Sequence, residues 1–261
     1  MKTIEPLLDH VKKAGDKAAE KQARVLRDYK KDGSIITHID RELNESLAGA
    51  VRNYFPDANI ITEESDEDFD SSRKYSFVID PVDGTDAYSQ MIPGWCVAVG
   101  LLEDNQPAAG IIYAPLWGPP GGTFVYCDLQ SPVYLNGREV IHEPDRLNPD
   151  DLQIMSSSKV HRYFDLRNFN GKIRTPGASI INIISPLIHK AVGAAVLVPC
   201  SIWDIAAAHA VVKRAGLYFS YLSGMPVDYT ELYVRNTCRD FIITGDTDTC
   251  REITSMLIPY K

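Results

Sequence analysis

The stretch Tyr75-Ser76-Phe77-Val78-Ile79-Asp80-Pro81-Val82-Asp83-Gly84-Thr85-Asp86 decides how the whole chain is read. Tyr75–Ile79 is an apolar strand pattern that stops abruptly at Asp80-Pro81. Two carboxylates, Asp80 and Asp83, stand three residues apart, with a proline between them and a glycine after them. Proline fixes φ at one position, and glycine admits positive φ or close backbone approach at another. Strand ends are where α/β architectures place ligands. Gly84 and Thr85 are positioned to open a helix whose free N–H groups face an anion. The segment therefore sets carboxylates suited to a hard cation beside donors suited to a phosphate. An acidic turn in which Asp83 or Asp86 caps a helix accounts for the same residues.

Working upstream, Glu63 closes the short run Ile60-Ile61-Thr62, so it too stands at a strand end and is expected to converge with Asp80. The acidic residues Asp66, Glu67, Asp68 and Asp70 read as a solvated loop. Thr37-His38-Ile39-Asp40 reads as a helix cap. Downstream, Trp203-Asp204 begins a helix, with Asp204 as a candidate cap and Ala206–Ala208 implying tight packing beneath.

Around these points the periodicity predicts helices over Ile4–Tyr29 and Asp40–Tyr54. Strands follow over Ile60–Ile61, Tyr75–Ile79, Cys96–Leu102, Ala109–Tyr113 and Phe124–Tyr126, with a hairpin turning at Asn136-Gly137. The polar, proline-punctuated run from His142 to Asp150 is the expected boundary between sub-domains 1–148 and 149–261. After it, strands at Leu152–Met155, Ala194–Val198, Leu217–Tyr221 and Phe241–Thr244 alternate with helices at Ser179–His189, Trp203–Ala215 and Asp246–Leu257. That alternation argues an α/β layer behind an α+β first half.

The chain has 261 residues, 44% of them hydrophobic and 24% charged, which is a globular composition. Its 27 Lys and Arg against 35 Asp and Glu give a net charge of −8. Such a surface repels nucleic-acid backbones and anionic lipid, so neither is an expected partner. An anionic substrate needs local cations. The five cysteines have neither CxxC nor zinc spacing and read as reduced thiols of a cytoplasmic protein. No signal peptide is read at Met1–Pro6, and the most apolar run, Ile188–Val198, is too interrupted to cross a bilayer. Gly118–Gly122 lacks the ending of a phosphate-binding loop. Ser156–Ser158 lacks the glycine frame of a serine-hydrolase elbow, and no histidine pair has metal spacing.

The combination of motifs resembles the inositol monophosphatase superfamily of metal-dependent phosphomonoesterases. Its D-P-[IL]-D-G-T hallmark stands here as Asp80-Pro-Val-Asp83-Gly-Thr85, and its W-D-x-A-A signature as Trp203-Asp204-Ile-Ala206-Ala207 with Ala215-Gly216. The T-x-x-D and G-E-E elements appear as Thr37…Asp40 and Thr62-Glu63-Glu64, with threonine replacing the glycine. Gly177-Ala178-Ser179 matches the helix start before the last catalytic stretch. The resemblance implies a layered αβαβα sandwich of the sugar-phosphatase type, assembled as a homodimer and sensitive to lithium.

It also implies roles for particular residues. Glu63, Asp80 and the Val82 carbonyl hold one Mg²⁺, and Asp80 bridges to a second held by Asp83 and Asp204; two or three ions per subunit are implied, with Mn²⁺ able to substitute. Asp40, Glu63 and Thr85 are the implied catalytic residues, Asp40 and Thr85 orienting an attacking water. Gly84 and Thr85 bind the phosphate, with Asp83 and Asp204 also facing the substrate. The implied substrate is a small phosphorylated polyol or sugar resembling inositol monophosphate. Against that, Gly193 and Leu197 stand where inositol monophosphatases carry acidic residues, and Pro199–Asp204, His209–Val211 and Gly224–Tyr229 look more like the 3′(2′),5′-bisphosphate nucleotidase branch. That branch has Lys-Glu where this chain has Asp86-Ala87. A family member reduced to a binding or regulatory module is the alternative of a different class.

Overall fold

The computed structural model describes residues 3–30, 33–64, 69–142 and 151–260. The expected sub-domain boundary at 148/149 and the acidic residues 66–68 lie outside the described residues.

Two helices come first, α1 (Glu5–Lys21) and α2 (His38–Tyr54), separated by a small hairpin of β1 (Asp28–Tyr29) and β2 (Ile35–Ile36). A seven-stranded sheet follows, ordered β3 (Asn59–Thr62), β4 (Tyr75–Asp83), β5 (Cys96–Glu103), β6 (Gln106–Ala114), β7 (Thr123–Cys127), β8 (Val133–Leu135) and β9 (Arg138–Val140). Only the β3–β4 pair in it is parallel. The short helix α3 (Thr85–Ser89) leaves the end of β4.

The second sheet draws on β10 (Gln153–Ser156), β12 (Lys172–Arg174), β13 (Val192–Leu197), β14 (Tyr218–Tyr221) and β15 (Ile242–Gly245), ordered β12-β10-β13-β15-β14. Between β10 and β12 lies β11 (Phe164–Asp165), which pairs with the last strand, β16 (Ile258–Pro259). The helices of this half are α4 (Ser179–Ile188), α5 (Ala206–Arg214), α6 (Tyr229–Arg235) and α7 (Thr247–Met256).

These elements stack as the layered αβαβα sandwich. Leu7 and Val11 of α1 and Leu43, Leu47 and Val51 of α2 pack on Phe77, Ile79, Val97 and Val99 of the first sheet. The alternate residues of the same strands, Val78, Cys96, Ala98 and Leu102, face the middle layer of α4 and α5. The outer face of the second sheet, with Ile154, Ala194, Val196 and Ile243, is covered by Cys250 and Ile253 of α7. Burial on both faces explains why β4 and β5 read as continuous apolar runs rather than as alternation.

The tight packing expected under Ala206–Ala208 is present. A Cβ at Gly110 would lie 2.3 Å from the Ala207 carbonyl oxygen, and one at Gly100 would lie 2.7 Å from the Ala207 nitrogen. Two glycines on neighbouring strands thus let α5 lie directly on the sheet, which sets the height of its N-terminal end. The predicted Asn136-Gly137 turn also forms, with φ of 49° and 77°, the left-handed pair that matches the twist of a two-residue hairpin.

Several boundaries differ from the sequence reading; β6, for one, begins at Gln106 rather than Ala109. The helix predicted to reach Tyr29 stops at Lys21, continuing only as a 3₁₀ turn over Gln22–Arg24. The buried Gln22 side chain donates to the Tyr88 carbonyl and anchors the chain there, while Leu26, counted as part of the apolar stripe, is 79% exposed. The helix predicted from Trp203 begins at Ala206. The strand predicted to end at Ile79 runs on to Asp83. Helix α6 has too short an apolar pattern to be read, although Asp228 caps it through the Thr230 N–H.

Candidate active site

Strand β4 carries the site by means of a register fault. Asp80 pairs with Ala98 and Asp83 with Cys96, so three steps along β4 answer two along β5. In a regular strand, residues three apart point to opposite faces. One extra residue at Pro81-Val82 makes a bulge, and both carboxylates turn to the same side. Proline is tolerated there because a bulge needs no ladder N–H from it.

Asp83 is 5% exposed, and its oxygens accept the N–H groups of Ser179 (3.1 Å) and Ile180 (2.6 Å) at the start of α4. Asp80, at 1% exposure, accepts the Val82 N–H through Oδ1. Gly84 has φ of +89°, and a Cβ there would lie 2.9 Å from the Gly94 carbonyl oxygen. Only glycine suits that turn, which releases the chain into α3 with the Thr85 N–H at its first position.

The other acidic residues arrive from elsewhere in the chain. In the parallel β3–β4 ladder Thr62 pairs with Ile79, which makes Glu63 and Asp80 the next positions along neighbouring strands. Asp204 lies in the turn before α5. Its Oδ2 accepts the Ser201 N–H at 2.6 Å, so it braces its own turn rather than capping the helix. That turn is held in place by the Ile202 N–H to the Asn236 carbonyl and the Cys238 N–H to the Cys200 carbonyl.

Asp80, Asp83 and Asp204 each present an oxygen, all within 4.8 Å of one another. They line a cavity of about 460 Å³ together with Glu63, Val82, Gly84, Thr85 and Asp86. Glu63 stands slightly apart, because the Lys30 ammonium is 2.8 Å from its Oε1 and 2.7 Å from Glu64 Oε1. Asp40 is wholly buried behind Thr85: its Oδ2 accepts the Thr37 N–H and hydroxyl in a capping box, and its Oδ1 faces Thr85 Oγ1 at 3.0 Å. Thr85 Oγ1 is also 2.9 Å from the Val82 carbonyl oxygen. The expected helix cap at Thr37–Asp40 is present, and the same Asp40 carboxylate also meets the Thr85 hydroxyl.

Burial dominates the electrostatics. It pushes Glu63 up to about 7 and Asp204 up to about 6, and it raises Asp80 and Asp83 well above the usual carboxylate range. The neighbouring carboxylates raise Asp80 and Asp83 further, while the α4 N–H groups pull Asp83 the other way. Four crowded acids, of which among the described residues only Glu63 has an ion pair, with Lys30, make a strong demand for cations. All the donors are oxygens, the set that Mg²⁺ prefers. The residues fit such an ion.

Lys30, Lys159 and Arg27 were not singled out by sequence. Lys159 lines the same cavity and makes no ion pair among the described residues. Arg27 pairs with Asp86. Basic residues in loops carry no periodic signal, and only the fold brings Lys159 to the cavity wall and Lys30 and Arg27 to the acidic residues that line it.

Residues 2–240 match the sequence profile of the inositol monophosphatase family. The chain belongs to this family. It is therefore a phosphatase, and hence a hydrolase. Among inositol monophosphatase relatives, a protein of Aquifex aeolicus described as fructose-1,6-bisphosphatase/inositol-1-monophosphatase is 25% identical over 231 residues, 82% of each chain. The 3′(2′),5′-bisphosphate nucleotidase CysQ of Escherichia coli is 24% identical over 210 residues, 77% of this chain and 82% of that one. In fold, the extragenic suppressor protein suhB of Bartonella henselae superposes with a TM-score of 0.82 at 19% identity, covering 97% of both chains. No helix among the described residues is long and apolar enough to cross a membrane.

Proposed function

We propose that this phosphatase is a Mg²⁺-dependent phosphomonoesterase that hydrolyses a small phosphorylated polyol or sugar. The observation that carries the reading is the convergence of the Asp80, Asp83 and Asp204 oxygens beside the Gly84–Thr85 turn. Asp80, Asp83, Asp204, Glu63 and the Val82 carbonyl hold two or three Mg²⁺, for which Mn²⁺ substitutes. Mg²⁺ held by these groups would supply the positive charge that an anionic phosphate needs in an acidic cavity, and Lewis acidity toward water and the ester oxygen.

The chain's own groups do the rest. The N–H groups of Gly84 and Thr85 bind phosphate oxygens, as free helix-start amides do. Thr85 Oγ1 points its hydrogen at Asp40 Oδ1 or the Val82 carbonyl, which leaves its lone pairs to accept from the attacking water. Asp40, with its proton affinity raised by burial, takes the proton relayed through Thr85. In the same reading the protein works in the cytoplasm as a lithium-sensitive homodimer.

The nucleotidase reading rests on likeness to CysQ. It is weakened by Asp86, an acidic residue of the cavity wall that stands where that branch has lysine. Phosphate release from inositol monophosphates, 3′-phosphoadenosine 5′-phosphate and fructose 1,6-bisphosphate, compared by kcat/KM with Mg²⁺ and with EDTA, tests the proposal. Release unaffected by EDTA sinks it, and preference for 3′-phosphoadenosine 5′-phosphate transfers the function to the nucleotidase reading.

A further inference from the structure

Cys200 and Cys238 stand opposite one another beside the acidic cluster. The turn that carries Asp204 and the chain after α6 run antiparallel there, with Ser201 paired to Thr237. The Cys238 N–H donates to the Cys200 carbonyl at 2.8 Å, and the Ile202 N–H donates to the Asn236 carbonyl at 2.9 Å. Opposed residues of an antiparallel pair project their side chains to the same face. Their Cα atoms lie about 4.5–5.5 Å apart, inside the span of about 4.4–6.8 Å that a disulfide bridges. The two thiols are in hydrogen-bonding contact. The other cysteines, Cys96, Cys127 and Cys250, belong to β5, β7 and α7.

The position matters because of what lies next to it. Asp204 Oδ2 accepts the N–H of Ser201 at 2.6 Å, and Ser201 is the residue after Cys200. Whatever moves Cys200 therefore moves the brace that holds Asp204.

We propose that Cys200 and Cys238 form a redox modification site, in which an oxidant joins their sulfurs in a disulfide that refastens the turn carrying Asp204. With hydrogen peroxide as oxidant, the sulfur of Cys200, a partly exposed residue, attacks one peroxide oxygen. The O–O bond breaks, leaving a sulfenic acid and one water. The Cys238 sulfur, on a residue 3% exposed, then displaces the sulfenic oxygen as a second water. Two S–H bonds are lost and one S–S bond forms; two electrons pass to the peroxide, and both thiol protons end in water. A dithiol reductant reverses the bond by thiol–disulfide exchange. Contact with Cys238, burial and the charge of Asp204 raise the Cys200 thiol well above its usual range, so closure is slow and answers sustained exposure.

Forming the bond draws the sulfurs from contact to about 2.05 Å, and Ser201 follows Cys200. Asp204 then shifts relative to Asp80 and Asp83, and Mg²⁺ affinity changes with it. The bridge stands without the metal reading; only its effect on Mg²⁺ rests on that reading.

The test incubates the reduced full chain with hydrogen peroxide, then unfolds it and titrates its thiols. The count is expected to fall by two from five, with a proteolytic digest yielding peptides joined through Cys200 and Cys238, and dithiothreitol restoring both. Cys238→Ser treated in the same way should form no internal bridge. Five persisting thiols, a sulfinic acid at Cys200 without a bridge, or a bridge between other cysteines overturns the proposal. If the variant does not fold, the digest of the parent decides by itself. Calorimetric titration of the oxidised and reduced parent with Mg²⁺ reads the second half. Kd is expected to change at least about fivefold, the low end of coupling between two sites, and to return with dithiothreitol. Equal affinities overturn the link to Asp204. If neither form binds Mg²⁺, the metal reading has failed separately, and the digest still decides the bridge.

Discussion

Asp83 Oδ2 accepts the Ile180 N–H at 2.6 Å, across 97 positions of sequence. The N-cap residue of α4, Ala178, has no side chain able to cap it, so Asp83 performs that service from another layer. The positive end of the helix favours the ionised carboxylate against the burial that disfavours it. One contact thus ties the acidic cluster on the first sheet to the N-terminus of a helix in the middle layer.

Replacing Asp83 by asparagine retains the volume and one oxygen acceptor but removes a charge from the cluster. Turnover is expected to drop by roughly 10³-fold, the scale of losing one preorganised electrostatic group. Unfolding free energy should change by no more than about 2 kcal/mol, the upper range for a helix cap. Near-parental turnover at saturating Mg²⁺ would reject Asp83 as a metal ligand.

The acidic cluster also makes a pH prediction for the metal-free protein. A carboxyl whose folded value is raised binds its proton more tightly when native than when unfolded. Its stabilising contribution is complete below the unfolded value and is lost as pH rises through the folded value. With Glu63 at about 7 and Asp204 at about 6, stability in EDTA should decline steadily from about pH 4.5 to about pH 7. Asp80 and Asp83 shift in the same direction and extend the decline upward. Added Mg²⁺ should raise Tm more at pH 8 than at pH 5, since binding to the native state alone stabilises it. Thermal unfolding across that range checks both, and a Tm in EDTA that is flat or climbs with pH would contradict them.

Thr85→Val is close to isosteric and deletes the hydroxyl between Asp40 and the Val82 carbonyl. We expect kcat to fall about 10²-fold or more, in the range of a lost proton-transfer group, with KM little changed. Steady-state kinetics would show instead a raised KM at constant kcat if Thr85 only bound substrate.

Gly110→Ala forces a methyl against the Ala207 carbonyl and lifts α5 from the sheet. A loss of about 1–3 kcal/mol in stability is expected. Because Asp204 rides on the turn before α5, Mg²⁺ affinity should weaken as well. Calorimetric titration giving parental affinity in a destabilised variant would show that the turn is held independently of the helix.

Much of this was legible in advance. The carboxylates of Asp80 and Asp83, the glycine after them, Glu63 at a strand end and the Thr37–Asp40 cap are local patterns whose physics acts within a few residues. The Asn136-Gly137 hairpin is legible for the same reason. The end of α1 was misread because amphipathic spacing continues to Leu26 while the packing partner does not. The start of α5 was misread because Asp204 looks like a cap but is turned back to Ser201.

Local chemistry alone marked two carboxylates, a proline and a glycine at the end of a buried apolar run, and family resemblance gave that pattern its meaning. The tertiary structure decided which distant groups answer it: the α4 N–H groups on Asp83, Lys30 between Glu63 and Glu64, and Asp204 from the turn before α5. The reason is physical. Turns, caps and strand ends are set by interactions a few residues long, whereas the pairing of a buried polar atom depends on how whole layers stack.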